Sequence, residues 1–273
     1  MDLLQVDKDK CNQDGICASE CPMTVIQMGK ESGYPELVGG DALCLACGHC
    51  VVVCPQDAIS HAQVPLEVCP PITSQLNISE EQAVQFLRSR RSIRVFKQKA
   101  VEKEKLERLI RIGRYAPTGR NAQLVEWTVF QDPQQLKQLA GMTIDWMRKV
   151  EQETPGALPI PQIPRLIQAW EDGFDPILRN APALVVASAP ETSRYGMADL
   201  SLALSYVELY APKLGLGTCW IGFIQGALLE YAPLQAAMGI PTGHSHHFPV
   251  VLGYPKFKYQ RLPERKSPTI HWH

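Results

Sequence analysis

The stretch Cys44-Leu-Ala-Cys47-Gly-His-Cys50-Val-Val-Val-Cys54-Pro55 has the spacing C-x2-C-x2-C-x3-C-P. An earlier stretch, Cys11-Asn-Gln-Asp14-Gly-Ile-Cys17-Ala-Ser-Glu-Cys21-Pro22, has the same spacing at an offset of 33 residues. Self-similarity at a fixed offset is the signature of a duplicated structural unit. The two copies differ in one ligand-type residue, because Asp14 stands where the second copy has Cys47.

The cysteines predict a metal site. The first residues lack the apolar segment of a secretory signal, which predicts a cytoplasmic protein. In that reducing compartment, seven cysteines between positions 11 and 54 indicate metal binding before disulfides. Thiolates are soft ligands suited to iron–sulfur clusters, and the short C-x2-C-x2-C loop lets three of them surround one cluster. Zinc is the alternative, but zinc sites are not normally built on this run.

Residues 1–70 resemble the bacterial ferredoxins with two 4Fe–4S clusters, whose known run is the one quoted above. The resemblance implies that one cluster is held by Cys21, Cys44, Cys47 and Cys50, and the other by Cys11, Cys17 and Cys54 with whatever occupies position 14. A carboxylate is a weaker ligand for this iron than a thiolate. Three outcomes are open for the fourth iron of this cluster. Asp14 ligates it, water or hydroxide ligates it, or the iron is lost to leave a 3Fe–4S cluster. The resemblance favours ligation by Asp14.

Charge and composition divide the chain and exclude several classes of protein. Residues 1–72 hold three lysines against ten acids, whereas the remainder has an excess of bases. We expect a ferredoxin domain at 1–72, a polar linker at 73–79 that follows Pro70 and Pro71, and a second domain at 80–273. The 45% of hydrophobic residues excludes a disordered chain. There is no dense basic cluster for nucleic acid and no apolar run for a membrane span.

The second domain begins with a helix signal and a basic stretch. Ser79 followed by Gln82 is typical of a helix N-cap. In Arg90-Arg91-Ser92-Ile93-Arg94-Val95, an extended chain would put Arg90, Ser92 and Arg94 on one side and Ile93 and Val95 on the other. Such a side suits a phosphate or the edge of a flavin, although a solvated helix end is the alternative. Strands predicted at 126–131, 183–189, 216–221 and 248–253, with helices at 101–115, 133–141, 196–214 and 227–238, indicate an α+β domain.

Four ordered motifs resemble the nitroreductase family over about residues 80–273. They are Leu87-Arg-Ser-Arg-Arg-Ser-Ile-Arg94, Ala116-Pro-Thr-Gly-Arg-Asn-Ala-Gln123, Gly215-Leu-Gly-Thr-Cys-Trp-Ile-Gly222, and Gly253-Tyr-Pro255 with Arg261-Leu-Pro-Glu-Arg265. The resemblance implies an FMN flavoprotein that works as an intertwined homodimer. The whole chain resembles the subgroup in which a ferredoxin domain precedes the FMN domain.

The resemblance also implies roles for individual residues. Around the FMN phosphate, ribityl chain and pyrimidine edge it implies Arg90, Arg91, Ser92 and Arg94, with Arg261 and Arg265 completing the phosphate site. From the other subunit, Pro117, Thr118, Gly119 and Asn121 would line the isoalloxazine ring. Ile221 and Gly222 would bring backbone amides near N5. No protein side chain is singled out as catalytic, since the flavin itself is the reactive group.

The proline-rich region, two cysteines and five histidines are less specific than these motifs. Residues 141–180 are rich in proline, and we expect a lid over the substrate face of the flavin or, alternatively, a passive surface excursion. Cys69 and Cys219 are expected to be free buried cysteines. His244, His246, His247, His271 and His273 are expected to pack or face solvent, with metal binding as the alternative.

These features predict an iron–sulfur flavoprotein oxidoreductase. Electrons would enter through the two clusters, collect on FMN and leave to a small organic acceptor such as a nitroaromatic or a quinone. The donor would be an external low-potential carrier or NAD(P)H, although no G-x-G-x-x-G fingerprint is present. An electron carrier that serves a protein partner, without turnover of a small molecule, is the alternative.

Overall fold

The chain, described in a computed structural model over residues 2–154 and 162–273, divides into two compact units. The first unit runs to Asn77 and includes Arg120–Ala122, and the second contains Ile78–Gly119 and Gln123–His273. The division falls inside the segment 73–79 that the sequence predicts as a linker. In the described part of the chain, no helix has the length and apolarity needed to cross a membrane.

The first unit consists of two small antiparallel sheets and two short helices. Its elements are β1 (Leu4–Val6), α1 (Ile16–Glu20), β2 (Ile26–Met28), β3 (Pro35–Leu37), α2 (His49–Val52) and β4 (Ile59–His61). Strand β1 pairs with β4, and β2 pairs with β3. The core between them contains Cys17 and Cys50 beside Ile26, Val51 and Ile59.

The 33-residue repeat of the sequence is present in the fold. Adding 33 to β2 gives the bounds of β4, and adding 33 to the start of α1 gives the start of α2. Each helix is preceded by a glycine in the left-handed region, Gly15 with φ of 71° and Gly48 with φ of 75°. Glycine adopts this conformation without steric cost, so both cysteine loops can turn sharply into their helices.

The second unit is built around one four-stranded antiparallel sheet. Its elements are α3 (Glu80–Arg88), α4 (Lys103–Gly113), β5 (Glu126–Phe130), α5 (Pro133–Glu153), α6 (Ile163–Glu171), β6 (Ala183–Ala189), α7 (Gly196–Tyr210), β7 (Gly217–Trp220), α8 (Gly222–Glu230), α9 (Ala232–Met238) and β8 (His246–Gly253). The strand order is β5-β6-β8-β7. This mixture of helices and one sheet confirms the predicted α+β class.

Helices cover both faces of this sheet. All seven residues of β6 are buried, and their side chains alternate between two cores. Leu184 and Val186 pack with α5 and α8 on one face, whereas Ala183 and Val185 pack with α4 and α7 on the other. A strand buried on both faces reads as a continuous apolar run, which is the pattern of residues 183–187.

Helix α5 is longer than the sequence indicates. The predicted helix ends near residue 141, but α5 continues to Glu153 and buries Ile144, Trp146 and Met147 in the core. Helix α6 was not predicted, because the prolines of this region suggest an excursion; its Pro164 lies in the first turn, where proline is well tolerated. Pro155, Pro159 and Pro161, which also carry the lid prediction for 141–180, lie outside the described residues. The lid role itself stays a prediction.

Candidate functional site

Four cysteines of the first unit surround one cavity. The lining of this cavity includes Cys21 from the first copy of the repeat and Cys44, Cys47 and Cys50 from the second. These are the four residues that the ferredoxin resemblance implies for one cluster. The rest of the lining is mainly apolar and includes Val25, Ile26 and His61.

The electrostatics of the four thiols fit a metal cluster. Burial raises the pKa of Cys50 to about 11, and the neighbouring Cys47, Cys44 and Cys21 add to the rise. Four thiolates this close repel one another unless positive charge lies between them. Iron supplies that charge and deprotonates coordinating thiols, so the donor set and its apolar cavity fit an iron–sulfur cluster.

A second group of ligand-type residues lies on the other copy of the repeat. Burial raises the pKa of the Cys17 thiol; backbone amides oppose this, and the charges of Cys54 and Asp14 add to it. These three groups are therefore close enough to influence one another. Asp14 is exposed, and its Oδ1 accepts a hydrogen bond of 3.0 Å from the amide of Ile16. Cys11 is half-buried at the start of the same loop, and its ligand role, like that of Asp14, stays a prediction.

The spacing of these side chains does not suit a single metal ion. Within residues 2–154 and 162–273, no group of three or more His, Cys, Asp or Glu side chains is placed to hold one ion. A cluster of four irons keeps its protein ligands further apart than one ion does, because each thiolate binds a different corner. The open cavity between Cys21, Cys44, Cys47 and Cys50 is consistent with this larger group.

In the second unit, Arg90 is held by a buried carboxylate. Its Nη1 donates to Oε1 of Glu208 on α7 at 2.9 Å, and the side chain of Glu208 is only 9% exposed. The other oxygen of Glu208 accepts from Nε1 of Trp220 at 3.3 Å, and Thr218 Oγ1 donates to Oε1 at 3.5 Å. Glu208 therefore fixes Arg90 against strand β7.

Ser92 and Arg94 lie beside the same strand. Ser92 forms an isolated bridge with Thr218, and the amide of Ile93 donates to the carbonyl of Thr218 at 2.8 Å. Burial raises the pKa of Cys219 in β7, whereas the charges of Arg94 and Arg179 and the hydroxyl of Ser92 lower it. The predicted residues Arg90, Ser92 and Arg94 are thus brought together at β7.

The prediction of which side chains share a side in residues 90–95 is partly wrong. Ile93 is buried, as expected, but Val95 is 45% exposed and Phe96 takes its place in the core. The chain does not continue as a regular strand after Arg94, because it leaves β7 and pairs with the segment after β8: Phe96 bridges Pro255, and the amide of Lys97 donates to Tyr254. Strict alternation therefore ends at Arg94.

The loop predicted to serve the partner's flavin has an unusual backbone. The amide of Gly119 donates to the buried Asp199 at 2.9 Å, and Thr118 Oγ1 accepts from the amide of Gln123 at 3.0 Å. Pro117 precedes this turn. Asn121, which belongs to the first unit, has a φ of 55° and donates through Nδ2 to the carbonyls of Leu45 and Ala46. The roles of these loop residues toward a flavin stay predictions.

The backbone amide of Ile221 forms a hydrogen bond within the second unit. It donates to the carbonyl of Pro249 at 3.0 Å, and its place near N5 of the flavin stays a prediction. Gly222 begins α8, and amides of the first helical turn have no partner within the helix. Of the two predicted amides, that of Gly222 is the one suited to a ligand.

The remaining predicted arginines are less constrained. The guanidinium of Arg91 lies over the ring of Tyr259 at 5.5 Å from its centre. Arg261 and Arg265 are exposed in the irregular segment after β8. Neighbouring Glu264 forms an ion pair of 3.1 Å with Arg88 at the end of α3. The structure therefore brings this segment to α3, and the phosphate roles of Arg261 and Arg265 stay predictions.

The cysteines outside the repeat and the histidines of the second unit are mostly structural. Cys219 is free and buried, as expected, but Cys69 is only half-buried and its Sγ donates to the carbonyl of Pro65. His244 is hydrogen-bonded to Ser188, and His247 to Gln225. Burial lowers the pKa of His247.

A cleft in the second unit lies away from the predicted flavin residues. Its lining includes Lys99, Leu136, Trp170, Leu178 and Pro182, and it contains none of the twelve residues predicted to bind FMN. The residues gathered at β7 therefore do not coincide with this cleft.

Sequence reasoning missed Glu208 and Arg179. Glu208 had a detectable signal, since it is a lone acid in the otherwise apolar and neutral stretch Leu200–Ala211. Arg179 had none, because it belongs to no motif and reaches Cys219 only through the fold.

Two family descriptions match the chain. Residues 87–254 match the nitroreductase family, and residues 10–59 match the 4Fe–4S dicluster domain. A protein of Archaeoglobus fulgidus described as an NADH dehydrogenase/NAD(P)H nitroreductase is 26% identical over 181 residues, which are 64% of this chain and 87% of that protein.

Solved structures share the fold of the second unit. A nitroreductase from Bacteroides fragilis with bound FMN has a TM-score of 0.59 and 20% identity, covering 71% of this chain and 98% of that one. A BluB-like flavoprotein from Clostridium difficile has a TM-score of 0.54 and 22% identity, covering 70% of this chain and 96% of that one. A nitroreductase from Desulfitobacterium hafniense with bound FMN has a TM-score of 0.53 and 18% identity, with the same coverage.

Proposed function

The chain belongs to the nitroreductase family and carries a 4Fe–4S dicluster domain, and from this premise we propose how it uses the two parts. It is an FMN-dependent oxidoreductase with iron–sulfur clusters. Electrons pass through the two clusters to FMN and on to a small organic acceptor such as a nitroaromatic or a quinone. The observation that carries this proposal is the cavity lined by Cys21, Cys44, Cys47 and Cys50, in the same chain as a nitroreductase domain.

The residues at β7 suit the flavin. FMN supplies the ability to exchange one electron, two electrons or a hydride. Its phosphate is a dianion, so Arg90, Ser92 and Arg94 offer charge-assisted hydrogen bonds where they converge. Gly222 offers an amide and the positive end of the α8 dipole. FMN in the related structures from Bacteroides fragilis and Desulfitobacterium hafniense supports the same cofactor here.

Glu208 orients the side chain of Arg90 in the proposed flavin region. A guanidinium that already makes a 2.9 Å ion pair with a buried carboxylate loses little further conformational entropy on binding an anion. The remaining donors of the planar Arg90 group stay available for a phosphate oxygen, since guanidinium carries five N–H groups. We expect Arg90 to be aligned before the cofactor binds.

The active protein is proposed to be a homodimer. The loop of Pro117, Thr118, Gly119 and Asn121 would complete the flavin site of the other subunit, as the resemblance to the nitroreductase family implies. The donor is an external low-potential carrier or NAD(P)H, and the description of the Archaeoglobus relative supports the latter.

Anaerobic purification tests the proposal directly. Iron, sulfide and FMN are counted per chain, and the protein is then reduced with a low-potential ferredoxin and mixed with menadione or a nitroaromatic. We expect FMN, two clusters and catalytic reduction of the acceptor. In Cys47→Ala, turnover from ferredoxin should be lost, whereas Cys69→Ala, a cysteine outside both proposed ligand sets, should keep it. Fully loaded protein that reduces other proteins but no small acceptor would instead support the electron-carrier alternative.

A further inference from the structure

The two copies of the repeat differ at a second position besides Asp14. The offset that relates Cys11 to Cys44 also relates Met28 at the end of β2 to His61 at the end of β4. His61 is only 3% exposed and lines the cavity of Cys21, Cys44, Cys47 and Cys50. A methionine side chain has no proton to donate, whereas an imidazole has at least one. Only the second copy can therefore donate a side-chain hydrogen bond from this position.

The hydrogen bonds of His61 determine where its proton lies. The backbone amide of Gln63 donates to Nδ1 of His61 at 3.1 Å, so Nδ1 acts as the acceptor. A neutral imidazole with an accepting Nδ1 carries its proton on Nε2. That Nε2 lies 3.5 Å from Sγ of Cys44, within range for a hydrogen bond to sulfur. The β4 turn thus points an N–H group at a proposed cluster ligand.

We propose that His61 is a positioning residue that donates Nε2–H to the Cys44 thiolate and raises the reduction potential of the cluster held by Cys21, Cys44, Cys47 and Cys50. Reduction adds negative charge that spreads onto the thiolate sulfurs, and a hydrogen bond to sulfur stabilises the more negative state. The repeat puts Met28 at the position equivalent to His61 and Cys11 at the position equivalent to Cys44, and methionine has no N–H to donate. His61 therefore makes its cluster easier to reduce than the same cluster would be without this donor, on the ligand sets proposed above.

The test uses the whole protein with clusters and FMN bound. His61→Met copies the first half of the repeat into the second, and His61→Gln keeps an amide N–H close to the position of Nε2. The control is His49→Met, which makes the same change at an exposed imidazole that also borders the cavity but has no hydrogen bond to a cysteine sulfur in the described residues. Both cluster potentials are measured by redox titration followed by EPR, with iron and FMN counted in each variant.

In His61→Met, we expect one cluster to become harder to reduce by about three- to tenfold in its reduction equilibrium, or ~30–60 mV for a one-electron couple. The other cluster and the FMN content should not change. His61→Gln should stay close to the wild type, and His49→Met should match it. An unchanged potential in His61→Met, or an equal shift in His49→Met, would overturn the inference.

A second measurement covers a variant that loses its cluster. Wild-type protein labelled with ¹⁵N in the histidine rings should show a nitrogen coupling to the reduced cluster in pulsed EPR, and this coupling should be absent in His61→Gln. Its absence in the wild type would also overturn the inference. The ligand assignment is tested separately, since Cys44→Ala should lower the iron count. An unchanged count there would contradict the proposed ligand set, whereas a lowered count with no effect of His61→Met would contradict only the role of His61.

Discussion

Glu208 accepts a 2.9 Å hydrogen bond from Arg90 across 118 residues of sequence, and the same carboxylate accepts from Trp220 and Thr218. The acid is nearly buried, and every buried side-chain nitrogen and oxygen in the described residues has a partner. A buried carboxylate with three donors ties the basic segment before Ile93 to α7 and β7. It makes the geometry of the proposed flavin region dependent on one side chain of the core.

Removing this carboxylate should destabilise the second unit. In Glu208→Ala, the half-buried guanidinium of Arg90 and Nε1 of Trp220 lose their acceptor, and we expect a loss of about 2–4 kcal/mol in the free energy of unfolding. Glu208→Gln keeps an acceptor and should cost less, about 1–2 kcal/mol. Tryptophan fluorescence during urea unfolding measures this, because all five tryptophans lie beyond residue 126.

The control for Glu208 is Glu107→Gln, which breaks an exposed ion pair with Lys103 on α4. Exposed pairs contribute at most ~1 kcal/mol, so this variant should unfold like the wild type. Equal stability of Glu208→Ala and Glu107→Gln would mean that the Arg90 pair does not stabilise the unit.

Arg94 is expected to hold the flavin without supporting the clusters. Each charge-assisted hydrogen bond to phosphate contributes roughly 1.5–3 kcal/mol, so Arg94→Ala should weaken FMN binding about 10- to 100-fold. The cluster absorption should stay at the wild-type level. Fluorescence titration of the apoprotein with FMN provides the affinity, and Arg111→Ala on α4 serves as the exposed control. Unchanged affinity in Arg94→Ala would refute its assignment.

Assembly can be measured independently of turnover. If the Pro117–Asn121 loop completes the site of a second copy, the flavin-loaded protein should sediment as a dimer with two equivalent FMN sites. The interface should be in the large class, about 2,000 Å² or more. Analytical ultracentrifugation of the holoprotein decides this, and a stable monomer with full FMN occupancy would contradict it.

Asp14 should make one cluster more labile than the other. Carboxylate binds cluster iron less well than thiolate and can be protonated and leave. On mild oxidation with ferricyanide, the cluster of Cys11, Cys17 and Cys54 should lose one iron and produce a 3Fe–4S EPR signal, while the other stays 4Fe–4S. Asp14→Cys should abolish this signal, and Asp9→Asn, at an exposed acid of the same region, should leave it unchanged. Wild type without a 3Fe–4S species would argue against a weak ligand at position 14.

Acid should weaken the second unit partly through His247. Burial lowers the pKa of this imidazole below its usual value of ~6.5. The unfolded chain therefore binds a proton that the folded chain resists, so the free energy of unfolding falls as pH drops below ~6.5. His247→Gln should reduce this pH dependence, whereas His273→Gln at the exposed end of the chain should not. Tryptophan-monitored urea unfolding between pH 7.5 and 5.5 measures both slopes, and equal slopes in both variants would exclude His247.

Local sequence patterns were sufficient to predict many of the structural elements of this protein. Three features depend only on neighbours in sequence: the cysteine repeat, the capping box of Ser79 and Gln82, and the four strands of the second unit. Both hydrogen bonds of the capping box are present. The physical causes of these features, ligand spacing, a helix end and alternating or continuous apolar runs, act over a few residues. The family resemblance built on four motifs is also confirmed, since each motif consists of one or two short continuous segments.

Other features were decided only by tertiary structure. The order β5-β6-β8-β7, the acceptor of Arg90 and the imidazole beside Cys44 each join residues that are far apart in sequence. Helix α5 extends past residue 141 because Ile144 and Met147 find a core supplied by β6 and α8. A local sequence pattern does not show which distant side chain will pack or hydrogen-bond at a given position. A carboxylate or an imidazole can be buried without a large cost only where the fold provides its hydrogen-bond partner.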